Sequence, residues 1–475
     1  MPCQPIPFPS HRTSPLGCTI KPHASGAPRF QTQQLTWHAI ALQAIVLLVS
    51  GCGSTAPQPA TPNAKQGSAD ASATSAAAAP EPPDSSKQNP SANVSASQPN
   101  ATANLRVVRL SEEELNEGWI SLFDEQTLFG WEPGSNANWK VENGIISVDD
   151  GEPGLLCTTS EFADYVLKVD FRFAPGTNSG IFLHTPVKPT DPASDCYELN
   201  IAEPAVSEFS TGSFVKRSKA EATAPPDTWH SYEVTMEGGR CTVKLNGAEV
   251  LDYTDPQPLL RGRIGLQLNK GRVEFRNIRL RPLGVKPLLN GQDLAGWKAG
   301  PNSASKFAVR DDGSVHVAGG KGHLESEQSY GDFVSQLQCQ THVENQNSGF
   351  FFRCIPGEEL NGYESQIHNG FKDGDRSQPA DAGTGAIFRR TTARLVVAND
   401  KQWFHKTIVA VGPHISVWVD GFQVTDWTDT RAADPNPRKG VRTEAGTFML
   451  QGHDPGTDVS FRNIMAVELP PRRSP

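Results

Sequence analysis

The 475-residue sequence has few methionines, no excess of basic residues and no apolar run of membrane-spanning length. Its net charge of −9 at pH 7 argues against nucleic acid or an anionic membrane surface as the main partner. Four methionines stand against 9 tryptophans and 22 phenylalanines, which favours an all-β protein with aromatic cores or sugar-stacking surfaces. The 42 glycines and 38 prolines fit many turns and few long helices.

Cysteine is scarce and unevenly placed. Of the eight cysteines, three precede residue 53, which leaves Cys157, Cys196, Cys241, Cys339 and Cys354. Their number is odd and their positions do not match between the two repeated segments described below, so we do not expect a disulfide framework. Cys339 and Cys354 could still face each other across a hairpin, and no pair has the spacing of zinc ligands.

Several catalytic signatures are also missing. The sequence holds no glycine-rich phosphate loop, no Gly-x-Ser-x-Gly elbow and no His-Glu-x-x-His motif. It lacks the closely spaced Glu-x-Asp-x-x-Glu strand of one class of retaining glycosidases. Hydrolysis of an unmodified glycoside by two flanking carboxylates is therefore not well supported.

The first 104 residues are typical of a targeting signal followed by a tether. An apolar run at 39–49 has signal-peptide length and leads into Val-Ser-Gly-Cys at 49–52, which resembles the bacterial lipobox. We expect 1–52 to be a lipoprotein signal peptide and Cys52 to be lipidated; an uncleaved anchor or ordinary secretion is the alternative. The lipid would be the sole membrane contact of a bacterial cell-envelope protein, on its periplasmic or surface side. Residues 53–104 lack aromatic side chains, which predicts a disordered linker.

The rest of the chain contains a long internal repeat. Asn-Ser-Gly-Ile-Phe at 178–182 and Tyr-Glu-Leu-Asn-Ile at 197–201 return as Asn-Ser-Gly-Phe-Phe at 347–351 and Tyr-Glu-Ser-Gln-Ile at 363–367. We expect two homologous domains, copy one at 105–283 and copy two at 284–470. The offset between matching residues grows along the chain, so copy two has loop insertions, the last between Arg431 and Thr447.

The segments between the motifs have β character. Residues 165–173 and 241–245 alternate apolar and polar side chains, and the second run leads into Asn-Gly at 246–247, the signal of a two-residue hairpin. Its counterpart in copy two is Asp-Gly at 420–421. Short strands with frequent turns, in copies of about 180 residues, predict an all-β fold of two tandem jelly-roll sandwiches.

Two glutamates are the first candidates for chemistry. Alternation along their strands places Glu198 with Asn200 on one face, and Glu364 with Gln366 and His368 on the corresponding face of copy two. An ordinary solvent-facing sheet surface is the alternative, although such surfaces tend to carry Lys and Thr rather than a repeated glutamate–amide pair. The neighbouring Asn-Ser-Gly segments have the composition of tight turns.

Histidine and arginine residues follow the same motifs. His184 and Arg353 occupy the same register, four residues after the motif glycine, where each could bind a sugar hydroxyl, polarise a carbonyl or simply be exposed. Copy two also has His453 where copy one has Asn269, and a histidine can act as a general base near neutral pH. Copy one offers Glu203 instead, as a second carboxylate.

Taken together, these motifs resemble the 3-keto-disaccharide hydrolase family, also described as 3-keto-α-glucoside 1,2-lyase/3-keto-2-hydroxy-glucal hydratase. The family pattern of Leu-Phe-Asn-Gly-x-x-Leu-x-Gly-Trp, Asn-Ser-Gly-Ile, Gly-Tyr-Glu-x-Gln-Ile, Thr-Gly-Ala and Phe-Arg-Asn-Ile is met twice, with openings at 122–131 and 288–297. The resemblance covers 105–470. It implies concanavalin A-like jelly rolls that act on oxidised glycosides.

The implied reaction begins at a ketone on C3 of the sugar, which acidifies the hydrogen on C2. A base removes this proton, the enolate expels the C1 substituent, and water can add later. On this basis we expect Glu364 to be the base or a metal ligand, with His368 and His453 as acid–base partners and Arg353 as a carbonyl or hydroxyl binder. A divalent metal could polarise the ketone, although the sequence does not demand one.

Copy one departs further from the family pattern, so we expect it to have lost or altered the chemistry. Glu198 is its candidate for catalysis. The other expected binders of an oligosaccharide or keto-glycoside are Asn178, His184, Asn200, Glu203, Asn347 and Gln366. The alternative functions are a non-catalytic carbohydrate-binding protein and a structural or adhesive envelope protein.

Overall fold

Two β-sandwiches in tandem make up the computed structural model, which describes residues 105–472. These residues belong to one compact unit, Asn93–Pro475. The predicted signal peptide at 1–52 with its lipidation site Cys52, and the predicted linker at 53–104, lie outside the described residues. Within the described range, no helix is both long and apolar enough to cross a membrane.

Each copy is built almost entirely from strands. Copy one contains α1 (Glu112–Glu117), β1 (Ile120–Ser121), β2 (Trp131–Pro133), β3 (Lys140–Glu142), β4 (Ile145–Val148), β5 (Gly154–Thr158), β6 (Tyr165–Phe173), β7 (Asn178–Thr185), β8 (Tyr197–Ala202), β9 (His230–Glu237), β10 (Arg240–Leu245), β11 (Ala248–Thr254), β12 (Arg263–Leu268) and β13 (Val273–Pro282). Copy two contains β14 (Lys286–Pro287), β15 (Trp297–Ala299), β16 (Lys306–Val309), β17 (Val315–Ala318), β18 (Gly322–Tyr330), β19 (Phe333–Thr341), β20 (Ser348–Cys354), β21 (Tyr363–Ile367), β22 (Phe371–Lys372), β23 (Asp375–Pro379), β24 (Phe404–Val411), β25 (His414–Val419), β26 (Phe422–Thr428), β27 (Gly446–Gly452) and β28 (Asp458–Glu468).

The two copies have the same sheet topology. The larger sheet of copy one runs β11-β10-β9-β6-β13-β4-β3, and that of copy two runs β26-β25-β24-β19-β28-β17-β16. The smaller sheets run β2-β5-β12-β7-β8 and β15-β18-β27-β20-β21, and copy two adds the hairpin β22-β23. This antiparallel two-sheet arrangement confirms the predicted fold class of two tandem jelly-roll sandwiches.

The core of each copy lies between its two sheets. Along β6, the alternating residues Leu167, Val169 and Phe171 are buried, while Lys168 and Asp170 are partly exposed on the opposite face. The larger sheet of copy one thus has one buried and one partly solvated face, as the alternating sequence predicts. In copy two the equivalent strand β19 is buried along nearly its whole length. The smaller sheets differ, because β8 and β21 are buried along their whole length.

The predicted two-residue hairpins are present in both copies. Asn246 and Gly247 have φ of 51° and 84°, and Asp420 and Gly421 have φ of 45° and 73°. Two successive residues with positive φ match the right-handed twist of the flanking strands, and Asn-Gly and Asp-Gly are the pairs that adopt this conformation most readily. The prediction of these turns is confirmed.

The closing motif Phe-Arg-Asn-Ile forms a β-bulge. Asn277 and Asn463 both have φ of 51°, and the pairing of β13 with β6 and of β28 with β19 slips at this point. The preceding arginine lies over an indole ring in each copy, 3.9 Å from the centre of Trp229 and 4.0 Å from that of Trp403. The motif is therefore repeated because it fixes the bend of a long strand.

The five cysteines of the described residues are free and buried. Cys339 lies in the larger sheet and packs in the main core of copy two, whereas Cys354 ends β20 of the smaller sheet and packs in a separate cluster with Phe351 and Met449. The suggested pairing of Cys339 with Cys354 is therefore wrong. The two residues belong to different sheets rather than to the strands of one hairpin.

The copies contact each other through the start of copy one. The indole nitrogen Nε1 of Trp418 donates to the carbonyl oxygen of Ser121 at 2.9 Å. Arg394 forms an ion pair with Asp124 at 2.7 Å, and both side chains are largely buried. The contact joins Trp418, a β25 residue that packs in the core of copy one, and a buried charge pair to β1 and the residues that follow it.

Candidate active site

A cavity lies over the outer face of the smaller sheet in each copy, and the repeated glutamate lines it. The cavity of copy two has a volume of about 730 Å³ and that of copy one about 380 Å³. Glu364 on β21 lines the first, and Glu198 on β8 lines the second. The preceding tyrosine of each strand points the other way, into the core, so the predicted alternation holds at these residues.

The repeated Asn-Ser-Gly segments are strands, not the tight turns that their composition indicates. Ser348 donates from Oγ to the carbonyl oxygen of Gln451 at 2.8 Å, which fixes β20 to β27. A Cβ atom at Gly349 would lie 2.9 Å from Oε1 of Glu364. The glycine is needed because the glutamate side chain occupies the space beside it. Ser179 and Gly180 hold the same positions in copy one.

Burial controls the ionisation of both glutamates. Burial raises the pKa of Glu364 to about 7, although the cation of Arg438 and the ring of His453 act in the opposite direction. The pKa of Glu198 is raised to about 6 by burial, partly offset by a hydrogen bond from Gln267 at 3.1 Å. Glu364 therefore changes its charge near neutral pH, which is the property of a group that transfers protons.

Three amides recur at matching positions of the two copies near the glutamate strand. Asn347, Gln451 and Gln267 line the cavities, whereas the predicted binders Gln366, Asn178 and Asn200 are not among the lining residues. In copy two the side-chain oxygens of Asn347, Gln366 and Gln451 are buried and lack a hydrogen-bond partner among the described residues. The same holds in copy one for the oxygens of the corresponding residues, Asn178, Asn200 and Gln267. A buried acceptor without a partner is rare in folded proteins, so the oxygens of the cavity-lining residues Asn347, Gln451 and Gln267 are available to a ligand.

Asp381 is a second carboxylate at the copy-two site that the sequence patterns did not indicate. Its Oδ2 accepts from Nδ2 of Asn347 at 2.5 Å and from Nε2 of Gln366 at 3.1 Å. Its negative charge also helps to raise the pKa of Glu364. Asp381 follows the inserted hairpin β22-β23, which copy one lacks, so a comparison of the two copies could not find it.

His453 lines the copy-two cavity, as its predicted role requires. It follows β27, and its Nδ1 lies 2.9 Å from Oδ2 of Asp454. A carboxylate at Nδ1 orients the ring and leaves Nε2 as the nitrogen that can act on a substrate. Copy one has Asn269 among the lining residues of its own cavity and so has no titratable ring there.

The last insertion of copy two supplies a cation to the site. Between β26 and β27, this loop places Asn436 and Arg438 along the cavity. Nη2 of Arg438 lies 4.0 Å from Oε2 of Glu364 and donates to the carbonyl oxygen of Leu360 at 2.8 Å. The insertion was visible in the sequence, and its arginine is a site residue that the motif comparison missed.

His184 and Arg353 do not lie along the cavities, so their predicted binding role does not fit the structure. Each has φ of 49° in a bulge, so the shared spacing of four residues from the motif glycine, on which their prediction rests, does not bring the side chain to the cavity. Arg353 is fully buried and pairs with Asp332 at 3.1 Å. The ring nitrogens of His184 lie 2.6 Å and 2.8 Å from the carbonyl oxygens of Leu259 and Ala163.

The structure also leaves His368 and Glu203 apart from the two sets of lining residues. His368 follows the end of β21, and its Nδ1 accepts from the backbone N–H of Gly370 at 3.3 Å. Glu203 accepts from the backbone N–H of Gly176 at 2.8 Å. Both side chains therefore stabilise loops next to the cavities, and the expected acid–base role of His368 does not fit this position.

A lysine is buried behind the strand that carries Glu364. Lys406 on β24 donates from Nζ to the carbonyl oxygens of Ser365 and Gln366 at 2.9 Å and 3.2 Å. Burial lowers its pKa to about 8, while the charge of Glu364 acts in the opposite direction. In copy one the hydroxyl of Tyr232 makes the corresponding bond to the carbonyl oxygen of Asn200 at 2.8 Å. The two interiors thus differ in charge directly behind their glutamates.

Comparison with known proteins gives one family and several solved structures. The family described as 3-keto-alpha-glucoside-1,2-lyase-like domain matches residues 118–281 and 284–466. A candidate glycosyl hydrolase from Parabacteroides distasonis is 23% identical with a TM-score of 0.34, and the match covers 37% of this chain and 98% of that chain. No curated protein matches the sequence.

Two further solved structures have lower identities. A carbohydrate-binding module from Bacillus subtilis is 13% identical with a TM-score of 0.27, over 32% of this chain and 95% of that chain. A β-glucanase from Bacillus licheniformis is 13% identical with a TM-score of 0.28, over 39% of this chain and 98% of that chain.

Proposed function

The chain belongs to the family of 3-keto-alpha-glucoside-1,2-lyase-like domains, which its motifs predict, and we propose that its second copy cleaves 3-keto-glycosides. The observation that carries this proposal is Glu364, a carboxyl group with a pKa of about 7 that lines a cavity of about 730 Å³. Such a group can both accept and return a proton at neutral pH. The cavity also supplies the partner groups His453 and Arg438.

In the proposed reaction the carboxylate of Glu364 removes the proton on C2 of the sugar. The electrons of the C–H bond form an enolate with the C3 carbonyl. The enolate then re-forms the carbonyl and a C1–C2 double bond as the C1–O bond breaks. The departing oxygen takes a proton from His453, which gives the free alcohol and a 2-hydroxyglucal-3-ketone. Addition of water to this product completes a net hydrolysis.

The remaining groups of the cavity fit supporting roles. The guanidinium of Arg438 provides a positive charge close to the base, where it would stabilise the developing enolate. The free amide oxygens of Asn347 and Gln451 line the cavity and can accept hydrogen bonds from sugar hydroxyls. Together with Asp381 these oxygens are also the donor type that suits a hard divalent cation, which would polarise the ketone when bound.

The test is a comparison of a 3-keto-glucoside with the corresponding plain glucoside, each incubated with the full-length protein and with its Glu364→Gln variant. We expect release of the alcohol from the keto substrate alone, and loss of at least about a hundredfold in rate in the variant, because the base is gone. Glu344→Gln, at a glutamate that is 73% exposed, is the matched control. A parallel series with a chelator reports whether a metal takes part.

Cleavage of the plain glucoside at the same rate, or full activity of the Glu364→Gln variant, would contradict the proposal. If neither substrate is cleaved and the variant changes only sugar binding, the lectin-like alternative is correct. Glu198→Gln assigns the activity to one copy, because we expect a copy-two reaction to continue in this variant.

Copy one fits carbohydrate binding better than catalysis. Its cavity is about half as large, and Asn269 takes the place of the histidine. Its glutamate already accepts a hydrogen bond from Gln267. We therefore propose that copy one holds an oligosaccharide close to the enzyme. Binding of glucosides to the Glu364→Gln variant should then disappear when Glu198→Gln is added.

We also propose that a lipid on Cys52 holds the protein at the bacterial cell envelope. The lipobox-like segment before this residue supports the proposal. In a bacterial host, the wild type should sediment with membranes and Cys52→Ser should appear in the soluble fraction. Equal membrane association of both proteins would rule out lipidation as the anchor.

A further inference from the structure

Three adjacent strands of the larger copy-two sheet carry a cluster of metal-ligating side chains. His316 lies on β17, Asp458 begins β28, and His342 directly follows β19. The donor atoms of these three residues lie within 4.8 Å of one another. Nε2 of His316 is 2.8 Å from Oδ1 of Asp458, and the two imidazole rings are 5.6 Å apart at an angle of 78°.

Strand pairing fixes this arrangement. Asp458 pairs with Ala318, two residues from His316 on the same strand, so the two side chains share one face of the sheet. The backbone N–H of His342 donates to the carbonyl oxygen of Asp458 at 2.9 Å, which places the second imidazole on the other side of the carboxylate. The alternate residue Val459 packs in the core. The cluster therefore lies on the solvent face of a rigid three-strand platform.

Copy one carries different side chains at the position that corresponds to this cluster. There Glu274 sits between Arg172 and Arg272, with ion-pair distances of 2.5 Å and 2.7 Å. The position that corresponds to His316 is Ser147, since both pair with the residue before the motif phenylalanine. An arginine–glutamate cluster satisfies its own charges, whereas the copy-two cluster offers two imidazoles and a carboxylate as ligands and has one arginine, Arg310, at its edge.

We propose that His316, His342 and Asp458 bind a divalent transition-metal ion, with Zn²⁺ as the best match. Two imidazole nitrogens and one carboxylate oxygen are a donor set typical of Zn²⁺, while Ca²⁺ and Mg²⁺ prefer oxygen ligands throughout. Three protein ligands leave a coordination position for water. The site lies in the larger sheet, whereas Glu364 belongs to the smaller one, so it is separate from the proposed catalytic cavity.

Two groups compete with the ion for Nε2 of His342: the hydroxyl oxygen of Ser460, 2.8 Å from that nitrogen, and the guanidinium of Arg310. Nη1 of Arg310 lies 3.3 Å from Nε2 of His342, and the arginine side chain is exposed and able to swing into solvent. A bound cation would replace this guanidinium contact. Once bound, the ion would connect β17, β28 and β19 on their outer face. It would therefore stabilise the folded state in proportion to its concentration relative to its dissociation constant.

The experiment is calorimetric titration of Zn²⁺ into the full-length protein, prepared without a histidine tag and freed of metal by chelation and dialysis. We expect one ion per copy-two cluster, and His316→Ala and His342→Ala should each weaken binding by at least about tenfold. Arg310→Ala should strengthen binding, because it removes a competing charge. Co²⁺ in place of Zn²⁺ should give visible absorption bands that the histidine variants lack.

The control is His414→Ala, which alters another histidine–carboxylate pair, 3.1 Å from Asp426. Asp458→Asn is a second, milder variant for use if a histidine variant unfolds, and thermal unfolding of every variant establishes that it is folded. Absence of saturable Zn²⁺ binding to the wild type would overturn the proposal. Binding that persists unchanged in His316→Ala, His342→Ala and Asp458→Asn would overturn it equally, since the ion would then sit elsewhere.

Discussion

At the scale of single residues, the environment of Glu364 decides what the site can do. The side chain is buried on a sheet face, and its pKa is raised to about 7 from an ordinary value of 4.5. Burial favours the neutral carboxylic acid, so the folded protein holds this proton more tightly than the unfolded chain does. The same burial that prepares a proton-transfer group therefore weakens the fold when the group ionises.

The first prediction concerns stability against pH. The stabilisation from the raised pKa is complete below about pH 4.5 and is lost as the pH rises through about 7. For the shift cited, the wild type should lose on the order of 3 kcal/mol relative to Glu364→Gln across this window. Urea unfolding of both proteins at pH 4.5, 6 and 8 measures the difference. The same difference in unfolding free energy between the two proteins at all three pH values would contradict the prediction.

The Gly349 position gives a second prediction at this scale. An alanine there would bring its Cβ to 2.9 Å from both Oε1 of Glu364 and a ring carbon of Phe351. Because the strand pair leaves little room to move, we expect the glutamate to be displaced, with a loss of at least about tenfold in activity and about 1–3 kcal/mol in stability. Steady-state kinetics on a 3-keto-glucoside, with chemical unfolding, tests this.

The matched control for Gly349→Ala is Gly180→Ala. An added Cβ in copy one would lie 3.0 Å from the carbonyl oxygen of Leu199 and 3.4 Å from Cγ of Glu198. It should cost a similar amount of stability and leave the activity in place. Equal loss of activity in both variants would show that the glycine acts on the fold rather than on the copy-two glutamate.

At the scale of elements, the sequence predicted regular features well and irregular ones badly. Alternation and the Asn-Gly and Asp-Gly hairpins were sufficient to predict the sandwiches, because both follow from the two-residue period of a strand. His184 and Arg353 were assigned to the sugar site by their shared spacing of four residues from the motif glycine, which equals two periods of a regular strand. A bulge with positive φ shifts this period by one residue, and no local composition marked it.

Loops account for the site residues that the motifs missed. Arg438 and Asp381 reach Glu364 from insertions about 74 and 17 residues away along the chain, so neither belongs to a local pattern. The growing offset between the copies located the insertion that carries Arg438, between Arg431 and Thr447. It could not indicate that this loop folds over the glutamate. What an insertion contacts is set by the strands that it connects, here β26 and β27.

An element-scale prediction follows from this loop. Arg438→Ala removes the cation that lies 4.0 Å from Glu364 and opposes the rise of its pKa. The pH at which activity reaches half of its maximum should therefore move upward, and the maximal rate should fall by at least about tenfold through loss of enolate stabilisation. A pH–rate profile measures both effects. Arg389→Ala is the comparison variant, because Arg389 is an exposed arginine that lines the same copy-two cavity.

At the scale of the whole molecule, the two sandwiches share buried contacts. The core of copy one includes Trp418 and Leu469 of copy two, and Leu105 and Val107 pack against the core of copy two. The buried pair of Arg394 and Asp124 lies in the same contact. Each copy therefore packs side chains against the core of the other. A substitution at this contact should lower the stability of both copies.

The prediction at this scale is that Asp124→Asn destabilises the full-length protein by about 3 kcal/mol, because it leaves the guanidinium of Arg394 buried without a counter-charge. Thermal and chemical unfolding measure the change. Asp252→Asn breaks a pair of the same length, 2.7 Å, whose partners are 43% and 61% exposed, and it should have a far smaller effect. Equal effects of the two variants would contradict a shared, buried contact.

The buried lysine of copy two has a consequence for how the protein exchanges protons with its surroundings. Lys406 and Glu364 occupy opposite sides of one strand, and the negative glutamate favours the positive lysine. In the proposed reaction, protonation of Glu364 would remove the negative charge that raises the pKa of Lys406, so the two protonation equilibria oppose each other. Copy two therefore holds two linked proton-binding groups on either side of one strand, whereas copy one has the hydroxyl of Tyr232 in place of the lysine.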